Sequence, residues 1–406
     1  MGGRANSAMN NAADQYMTPQ GGFSWSPGET GRSMVMPTAG VIKKMYVTMD
    51  GVPSVGSSNR FTLRKNTVSQ ALTVLISGGF DTTGFDDVNE VAVVAGDLIS
   101  ILQHPTAFPT ARSAMISLIF KGSTAGESII CYCSTVGVGG GGGLTKYQAV
   151  MGNVESPAAW GNSSIQPIPT NGTLKKMYVN VQTAPGVGES LTITLLKGGI
   201  ATALTVTIAG VNTTGNDVAN TVAVSAMDEL TFQMTSSGGA ANQGESQISM
   251  VFAPTIDGEA PVMGTSTNVL GAAGTTFNNP CGVGSNEVWG AAEAQFYQIV
   301  REATISKLCV TLDIAPGAGN SRTFEVRQNG ADTGVQVVLS NAEVGGVDNV
   351  NSVAVIDGDL IAIEHIPAGP PDAGDAHWGF VISTGGAAAA IPSGSMASRL
   401  IGAKII

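Results

Sequence analysis

Two stretches of this chain, VNEVAVVAGDLISI from Val88 to Ile101 and VNSVAVIDGDLIAI from Val350 to Ile363, are identical at ten of fourteen positions. A third version, VANTVAVSAMDELTF from Val218 to Phe232, lies halfway between them. In each version apolar residues alternate with small or polar ones on both sides of a turn, which is the period of β-strands. The stretches therefore predict a pair of strands that reverses at one turn, repeated three times.

The copies are 131 residues apart, as the spacing of Asp97, Asp228 and Asp359 shows. A second set of aspartates keeps the same step, just upstream of the first strand of each pair: Asp86, Asp217 and Asp348. The block IKKMYV, which begins at residue 42, also returns as LKKMYV at residue 174 and ISKLCV at residue 305. A repeat of this length exceeds the roughly 20–50 residues of solenoid units, so it predicts tandem globular domains.

The repeat divides the chain of 406 residues into six predicted segments. They are an N-terminal arm over 1–13, a first repeat over 14–136, a Gly-rich linker over 137–146, a second repeat over 147–256, a linker over 257–275, and a third repeat with the C-terminal segment over 276–406. In each repeat, alternating segments broken by Pro-Gly, Asn-Gly and Gly-Asp turns predict about eight short strands. The predicted fold class is all-β: three tandem jelly-roll-like β-sandwich domains of about 131 residues each.

Composition excludes several classes of partner. The net charge is −11 with no basic run, whereas nucleic-acid binding needs clustered Lys and Arg, so no nucleic acid is expected. Uninterrupted apolar runs stay well short of the roughly 18 residues of a spanning helix, so no membrane is expected. The N-terminal residues lack the apolar core of a signal peptide, which predicts synthesis and retention in the cytoplasm of the producing cell.

The cysteines and histidines do not follow the repeat. A framework disulfide would recur once per unit, so scattered cysteines predict reduced thiols. Cys131 and Cys133 face one side of a strand but lack the second ligand pair of a zinc site, so they are interpreted as ordinary strand residues. The other chemically active candidates outside the repeat are Cys281, Cys309, His104, His365 and His377.

The glycine run from Gly137 to Gly142 formally fits the dinucleotide-binding pattern GxGxxG. Such a site needs a helix at that point, but Tyr147 repeats Tyr16 at the 131-residue step, so a linker is predicted instead. No catalytic, cofactor-binding or metal-binding residue is predicted, and the chain is not expected to be an enzyme. A catalytic triad formed by distant residues and calcium at the loop aspartates are the alternatives left open.

Two sets of residues are predicted to be structural. Asp97, Asp228 and Asp359, together with Gly96 and Gly358, are assigned to strand-reversing turns, where a carboxylate accepts backbone N–H bonds. A tryptophan occurs once per repeat, which favours a core or interface position over sugar stacking: Trp25, Trp160 and Trp289.

The order of motifs resembles a known family. A Tyr-Val strand, F-x-V-R-x-N-G, V-x-V-x-x-G-D-L-I-x-I and a late Gly-Phe strand are similar to the jelly roll of tumour-necrosis-factor-like and complement globular-head domains. Gly96-Asp97, Gly358-Asp359 and Gly379-Phe380 match that pattern, and the second repeat departs from it with Met227-Asp228. Similar domains occur in trimeric bacterial surface fibres and in bacteriophage capsid, spike and decoration proteins.

The resemblance implies a non-enzymatic virion component, most similar to the bacteriophage group. Its expected partners are copies of itself and other virion proteins. A receptor- or glycan-binding fibre or adhesin is the alternative, with a host surface glycan or receptor as partner. That alternative predicts a cluster of aromatic and polar residues on the loops of one repeat that its siblings lack.

The arrangement of the three repeats has two possible forms. Linkers of about ten residues or more reach far enough to close an intramolecular pseudo-trimer or to leave three beads in a row. The linkers differ in composition, one with five consecutive glycines and the other APTIDGEAP, whereas a ring would place similar demands on both. The bead arrangement is therefore the prediction.

Overall fold

The computed structural model describes residues 2–4, 8–20, 24–133, 143–152, 155–156, 164–266, 268–281 and 288–383. In these residues the regular secondary structure is β throughout, apart from one short 3-10 helix over Glu293–Gln295. The predicted all-β class is confirmed. No helix of the described ranges is long and apolar enough to cross a membrane.

The first sandwich has two antiparallel sheets. Its strands are β1 (Gly2–Arg4), β2 (Gln15–Met17), β3 (Met34–Val35), β4 (Gly40–Met49), β5 (Ser58–Lys65), β6 (Val68–Ser77), β7 (Thr83–Val93), β8 (Leu98–Thr106) and β9 (Ala114–Gly122). One sheet has the order β1-β9-β4-β7, and the other has the order β2-β8-β5-β6 with β3 also paired to β8.

The second and third sandwiches repeat this plan. The second comprises β10 (Ser128–Cys133), β11 (Thr145–Gln148), β12 (Glu155–Ser156), β13 (Gln166–Pro167), β14 (Gly172–Val181), β15 (Gly186–Lys197), β16 (Ile200–Gly210), β17 (Thr214–Val224), β18 (Glu229–Ser236) and β19 (Ser246–Pro254). The third comprises β20 (Glu259–Thr265), β21 (Thr276–Asn278), β22 (Gln298–Ile299), β23 (Ala303–Leu312), β24 (Gly317–Gln328), β25 (Ala331–Asn341), β26 (Gly345–Val355), β27 (Leu360–Ala368) and β28 (Ala376–Ser383).

The strand pairing is nested in the manner of a jelly roll. In the first sandwich β1 pairs with β9, β2 with β8, β4 with β7 and β5 with β6, so the first strand meets the last and the middle strands meet each other. The second and third sandwiches have the same four pairings. A long hairpin wrapped around a core gives this pattern, so the predicted jelly-roll-like sandwich is confirmed.

The strand pairing differs from the predicted segment boundaries in three places. Residues 128–133, assigned to the first repeat, form β10 and pair with β19 of the second sandwich. Residues 259–265, assigned to a linker, form β20 and pair with β28. Residues 2–4 of the predicted arm form β1. A periodic sequence has no intrinsic starting point, so only the pairing shows that each sandwich begins with its outer strand.

A β-bulge interrupts the same central strand in every sandwich. Lys44, Lys176 and Lys307 have φ values of 55°, 53° and 55°, where a non-glycine residue is uncommon. The extra residue shifts the register, so Ile42 and then Met45 both enter the core of the first sandwich. Bulges re-aim side chains, and here they turn a lysine out of the sheet at equivalent positions.

The three sandwiches are joined in a closed ring, which corrects the bead prediction. β3 of the first sandwich contacts β14 and β19 of the second, β13 of the second contacts β23 and β28 of the third, and β22 of the third contacts β1 and β9 of the first. β3, β13 and β22 are equivalent strands, and so are β9, β19 and β28, so the ring has pseudo-three-fold symmetry. Linker composition misled the prediction because strands within the sandwiches make these contacts.

Candidate assembly interfaces and the predicted site residues

The turn aspartates each hold the strand-reversing turn by a backbone hydrogen bond. Asp97 accepts from the Val94 N–H at 2.9 Å, Asp228 from the Ser225 N–H at 2.8 Å, and Asp359 from the Ile356 N–H at 2.8 Å. Gly96 and Gly358 precede two of them, with φ values of 89° and 95°. Met227 adopts a φ of 73° at the same point of the second sandwich, in spite of its side chain.

The upstream aspartates are surrounded by hydrogen-bond donors. Asp86 accepts from the backbone of Thr73, Val88 and Asn89 and from the Asn89 side chain, at 2.9–3.1 Å. Asp217 and Asp348 have the same four bonds in their sandwiches. Burial raises the pKa of these carboxyls, but the hydrogen bonds together outweigh it and lower the pKa. Each of these carboxylates is surrounded by four N–H donors, whereas a calcium site needs oxygen ligands, so the surroundings do not fit calcium.

Two of the predicted tryptophans lie among aromatic side chains. Trp25 is buried in the first core, with its ring centroid 6.1 Å from that of Phe61. Trp289 is partly buried and lies edge-on to Trp378 at 5.3 Å and to His365 at 5.6 Å. Trp160 lies outside the described residues, as does the glycine run from 137 to 142.

The third sandwich contains a buried basic pair. The Arg322 guanidinium donates to His365 Nε2 at 2.8 Å and to the backbone carbonyls of Gly271 and Asp372. Burial, and then the Arg322 charge, lowers the pKa of His365 to about 3. Burial lowers the pKa of His377 to about 4. Both imidazoles are therefore neutral at physiological pH, and Arg322 ties two loops to the sheet.

The other histidine and the thiols are dispersed. His104 lies on the surface of the first sandwich, 2.6 Å from an oxygen of Asp14. The four cysteines are free, and Cys131 packs against the core of the first sandwich although its strand belongs to the second. Burial raises the pKa of Cys133, Cys281 and Cys309 to about 12, so these thiols are protonated.

A carboxylate cluster in the third sandwich escaped the sequence analysis. Oxygens of Glu325, Asp332 and Glu364 lie within 4.8 Å of one another. Arg327 pairs with Asp332 and lies 3.6 Å from Glu364, so a guanidinium already supplies the positive charge. Glu325 accepts the backbone N–H groups of residues 333 and 334. The carboxylates come from three separate strands, so no local spacing could have predicted the cluster.

The first two junctions of the ring share one arrangement of lysine, glutamate and threonine. At the first junction, between the first and second sandwiches, Glu127 lies 2.7 Å from Lys175, and Lys176 donates to Thr38 across the interface at 3.5 Å. At the second junction, between the second and third sandwiches, Glu259 pairs with Lys307 and accepts the Thr170 hydroxyl. Arg32 and Glu245 add a 2.5 Å ion pair at the first junction.

The third junction, between the third and first sandwiches, is built differently. Arg301 donates to Asp87 of the first sandwich at 2.7 Å and lies 2.9 Å from Asp357 of its own sandwich. Its guanidinium also stands 5.7 Å from the ring centroid of Tyr46. The Arg301 side chain is only 6% exposed. One buried cation thus bridges two carboxylates and an aromatic face across the closing contact.

Two concave features of the described residues contain few titratable side chains. A cleft of about 280 Å³ lies at the second junction, lined by residues of both sandwiches. Lys307 is the one titratable side chain in its lining, and Glu259 already pairs with that ammonium group. A shallow depression in the third sandwich has Asp372 as its one titratable residue. Neither cavity brings together an acid, a base and a nucleophile.

One end of the first sandwich has an exposed apolar surface, here called the loop end. It consists of Val55, Phe80 and Phe108, which are 85%, 92% and 73% exposed. Their three loops are neighbours, because the Ser54 hydroxyl reaches the Phe108 carbonyl and Val55 lies beside Gly79. Exposed aromatic side chains in the described ranges occur in the first sandwich, and the matching loops of its siblings have none.

Comparison with known proteins adds no relative. No protein-family model and no curated protein sequence matches this chain.

Proposed function

We propose that this chain is a non-enzymatic structural protein of a large assembly, a component of a bacteriophage virion in the capsid decoration, spike or fibre. The observation that carries the proposal is the closed ring of three jelly rolls. Single jelly rolls that build shells and fibres must first associate, whereas this chain has three covalently joined copies already in a ring. Its partners would be copies of itself and other virion proteins.

The outer edges of three sheets support this proposal. β6, β16 and β25 end their sheets, and no described strand forms a backbone ladder with their outer sides, although one backbone N–H of each strand is bonded to the aspartate of the following strand. They display apolar side chains that include Leu75 and Ile200, 57% and 73% exposed. Unpaired edges with apolar side chains are sites where another chain can add, and soluble monomers usually protect them.

The chemistry of the buried groups also favours a structural role. The buried histidines are neutral, the thiols are protonated, and the aspartates of the repeat accept hydrogen bonds from their own loops. A hydrolytic or redox site would need such groups to converge on a cavity. In the described residues they are spread over three sandwiches.

Electron microscopy of the native particle, with mass spectrometry of its proteins, tests the proposal. We expect the chain in stoichiometric amounts and density that fits the ring. Leu75→Lys should reduce incorporation into particles, while Val187→Lys, which adds the same charge at an exposed position at the start of β15, serves as the control. A chain that is abundant in the infected cell and absent from purified particles would disprove the proposal.

A receptor- or glycan-binding fibre is the second candidate, and the loop end supports it. Its aromatic side chains occur on one sandwich and not on the siblings, which is the asymmetry expected of a binding loop set. Rigid exposed aromatics are typical anchors of recognition surfaces. Particles carrying Phe80→Ser with Phe108→Ser should assemble normally but adsorb poorly to host cells. Unchanged adsorption would reject the receptor-binding candidate, and the structural function would be the one that remains.

A further inference from the structure

The strand-reversing turns of the three sandwiches differ in the size of one side chain. The residue before the turn aspartate is Gly96, Met227 or Gly358 in the three sandwiches, and all three positions have positive φ. A methionine there carries a backbone penalty that glycine avoids. A large side chain in an unfavourable conformation needs a compensating contact.

Met227 finds that contact in the third sandwich. Its terminal Cε would lie 3.2 Å from a side-chain carbon added to Gly345, the first residue of β26. In the first and second sandwiches, the positions paired like Gly345 with the central strand are Thr83 and Thr214. A threonine at position 345 would compete with the Met227 methyl group for the same space.

The face of the third sandwich that contacts the second sandwich has smaller side chains at two further positions. Cys309 pairs with Gly379, where the first sandwich pairs Tyr46 with Ser117 and the second pairs a tyrosine with a serine. Pro167 and Pro169 of the second sandwich fill this space, since a carbon added to Gly379 would meet both. At the second junction, the second sandwich therefore carries a larger side chain than its siblings and the third sandwich carries smaller ones.

The third junction has the opposite arrangement. A side-chain carbon added to Gly358 would lie 3.0 Å from the hydroxyl of Tyr46, so the glycine turn fits against an intact tyrosine. Phe85 stacks on the other side of Tyr46, with centroids 6.3 Å apart, and limits its movement. A methionine turn could not occupy this junction without displacing the tyrosine.

We propose that Met227, together with the space left by Cys309, Gly345 and Gly379, determines which sandwich follows which around the ring. Met227 fits the third sandwich and is excluded by Tyr46 of the first. Reversal of the ring, or insertion of the second sandwich into the first sandwich of another chain, would place the methionine against that tyrosine. The ring then closes in one order and within one chain. This inference does not depend on which assembly the ring serves.

Transplanting the contact to the third junction of the full-length chain tests the proposal. Gly358→Met places the methionine against Tyr46. Gly96→Met is the matched control, because Gly96 has a similar φ but no atom within 4 Å of an added carbon. The triple variant Gly358→Met, Tyr46→Cys, Thr83→Gly introduces the methionine together with the small residues that accommodate Met227 at the second junction.

We expect Gly96→Met to lower the calorimetric midpoint by about 2–4 °C through backbone strain, with an unchanged radius of gyration in solution scattering. Gly358→Met should lower the midpoint at least twice as far and increase the radius of gyration as the junction opens. The triple variant should recover at least half of both differences. Equal behaviour of Gly358→Met and Gly96→Met, or no recovery in the triple variant, would overturn the proposal.

A milder pair covers the case in which Gly358→Met does not fold. Gly358→Ala should lower the midpoint more than Gly96→Ala, and adding Tyr46→Phe should reduce the excess because it deletes the hydroxyl at 3.0 Å, the nearest atom to the new carbon. Equal midpoints for the two alanine variants, or an excess that Tyr46→Phe leaves in place, would refute the steric basis of the proposal.

Discussion

The third sandwich and the first two have one topology but place their polar groups differently. The first two are typical sandwiches with aliphatic and Met-rich cores. The third buries Arg322, His365 and His377 and supplies Arg301 to the closing junction. Where two sandwiches are consecutive in the chain, the repeated lysine–glutamate–threonine set joins them. The contact between the ends of the chain uses its own buried cation. The closing junction thus uses a different set of charged groups from the two junctions between consecutive sandwiches.

Acid should destabilise the third sandwich more than the other two, and this is the largest effect that we expect. His365 and His377 are neutral when folded, with pKa values of about 3 and 4 against 6.5 when unfolded. Above pH 6.5 the neutral histidines cost the folded state no stability. As the pH falls from 6.5 toward the folded pKa values, the unfolded chain binds protons that the folded chain does not, so the free energy of unfolding decreases. Between pH 6.5 and about pH 5 each should cost about 2 kcal/mol.

Calorimetry at these two pH values checks this expectation. One transition should move down with acid, and His377→Gln should reduce its pH dependence. His104→Gln is the control, because His104 lies in the first sandwich and not in the third. Uniform acid sensitivity of all transitions would contradict the distinction between the sandwiches.

Removing the closing cation should have the next largest effect. Arg301→Met leaves Asp87 and Asp357 without their cation, and the loss of these charge-assisted contacts should destabilise the ring by about 2–3 kcal/mol, since the two carboxylates are 42% and 38% exposed and stay solvated. Arg60→Met, at an exposed position of β5, is the control. Thermal unfolding measures the loss, and solution scattering should show an expanded particle. A compact Arg301→Met ring would mean that apolar contacts alone close it.

The lysine–glutamate pairs allow the first two junctions to be compared directly. Lys307→Met leaves the buried Glu259 with the Thr170 hydroxyl alone and should cost about 2 kcal/mol. Lys176→Met should cost less, because Lys175 remains 2.7 Å from Glu127. Thermal midpoints of the two variants test this order. Adding Glu259→Gln to Lys307→Met should recover part of the loss, and a failure to recover would argue against an uncompensated charge.

The turn aspartates should give the smallest effect and a similar one in every sandwich. Asp97→Ala removes the acceptor for the Val94 N–H and should cost about 1 kcal/mol. Asp228→Ala and Asp359→Ala should fall within about 0.5 kcal/mol of it if the turns are equivalent. Denaturant unfolding monitored by tryptophan fluorescence provides the measurement. A variant that keeps its stability but no longer enters particles would mean that the aspartate binds a partner.

The sequence determined the local structure of this protein and its repetition. Alternating residues select one face of a strand for the core, and the Gly-Asp pairs of the repeat at Gly96 and Gly358 reverse the chain between two apolar strands, so both features can be predicted from neighbouring residues. Equal spacing of the markers then implied three equal sandwiches. The departures at Met227 and Cys309 were visible in the sequence as well, but as two separate irregularities 82 residues apart.

The tertiary structure decided how those parts join. Three results required it: the pairing of residues 128–133 with the second sandwich, the closed ring, and the contact of Met227 with the reduced face of the third sandwich. Each depends on atoms that are distant in the chain, and their proximity follows from the total free energy of packing rather than from any local preference. A local pattern restricts which side of a strand is buried, whereas the partner that buries it is selected only when the whole chain folds.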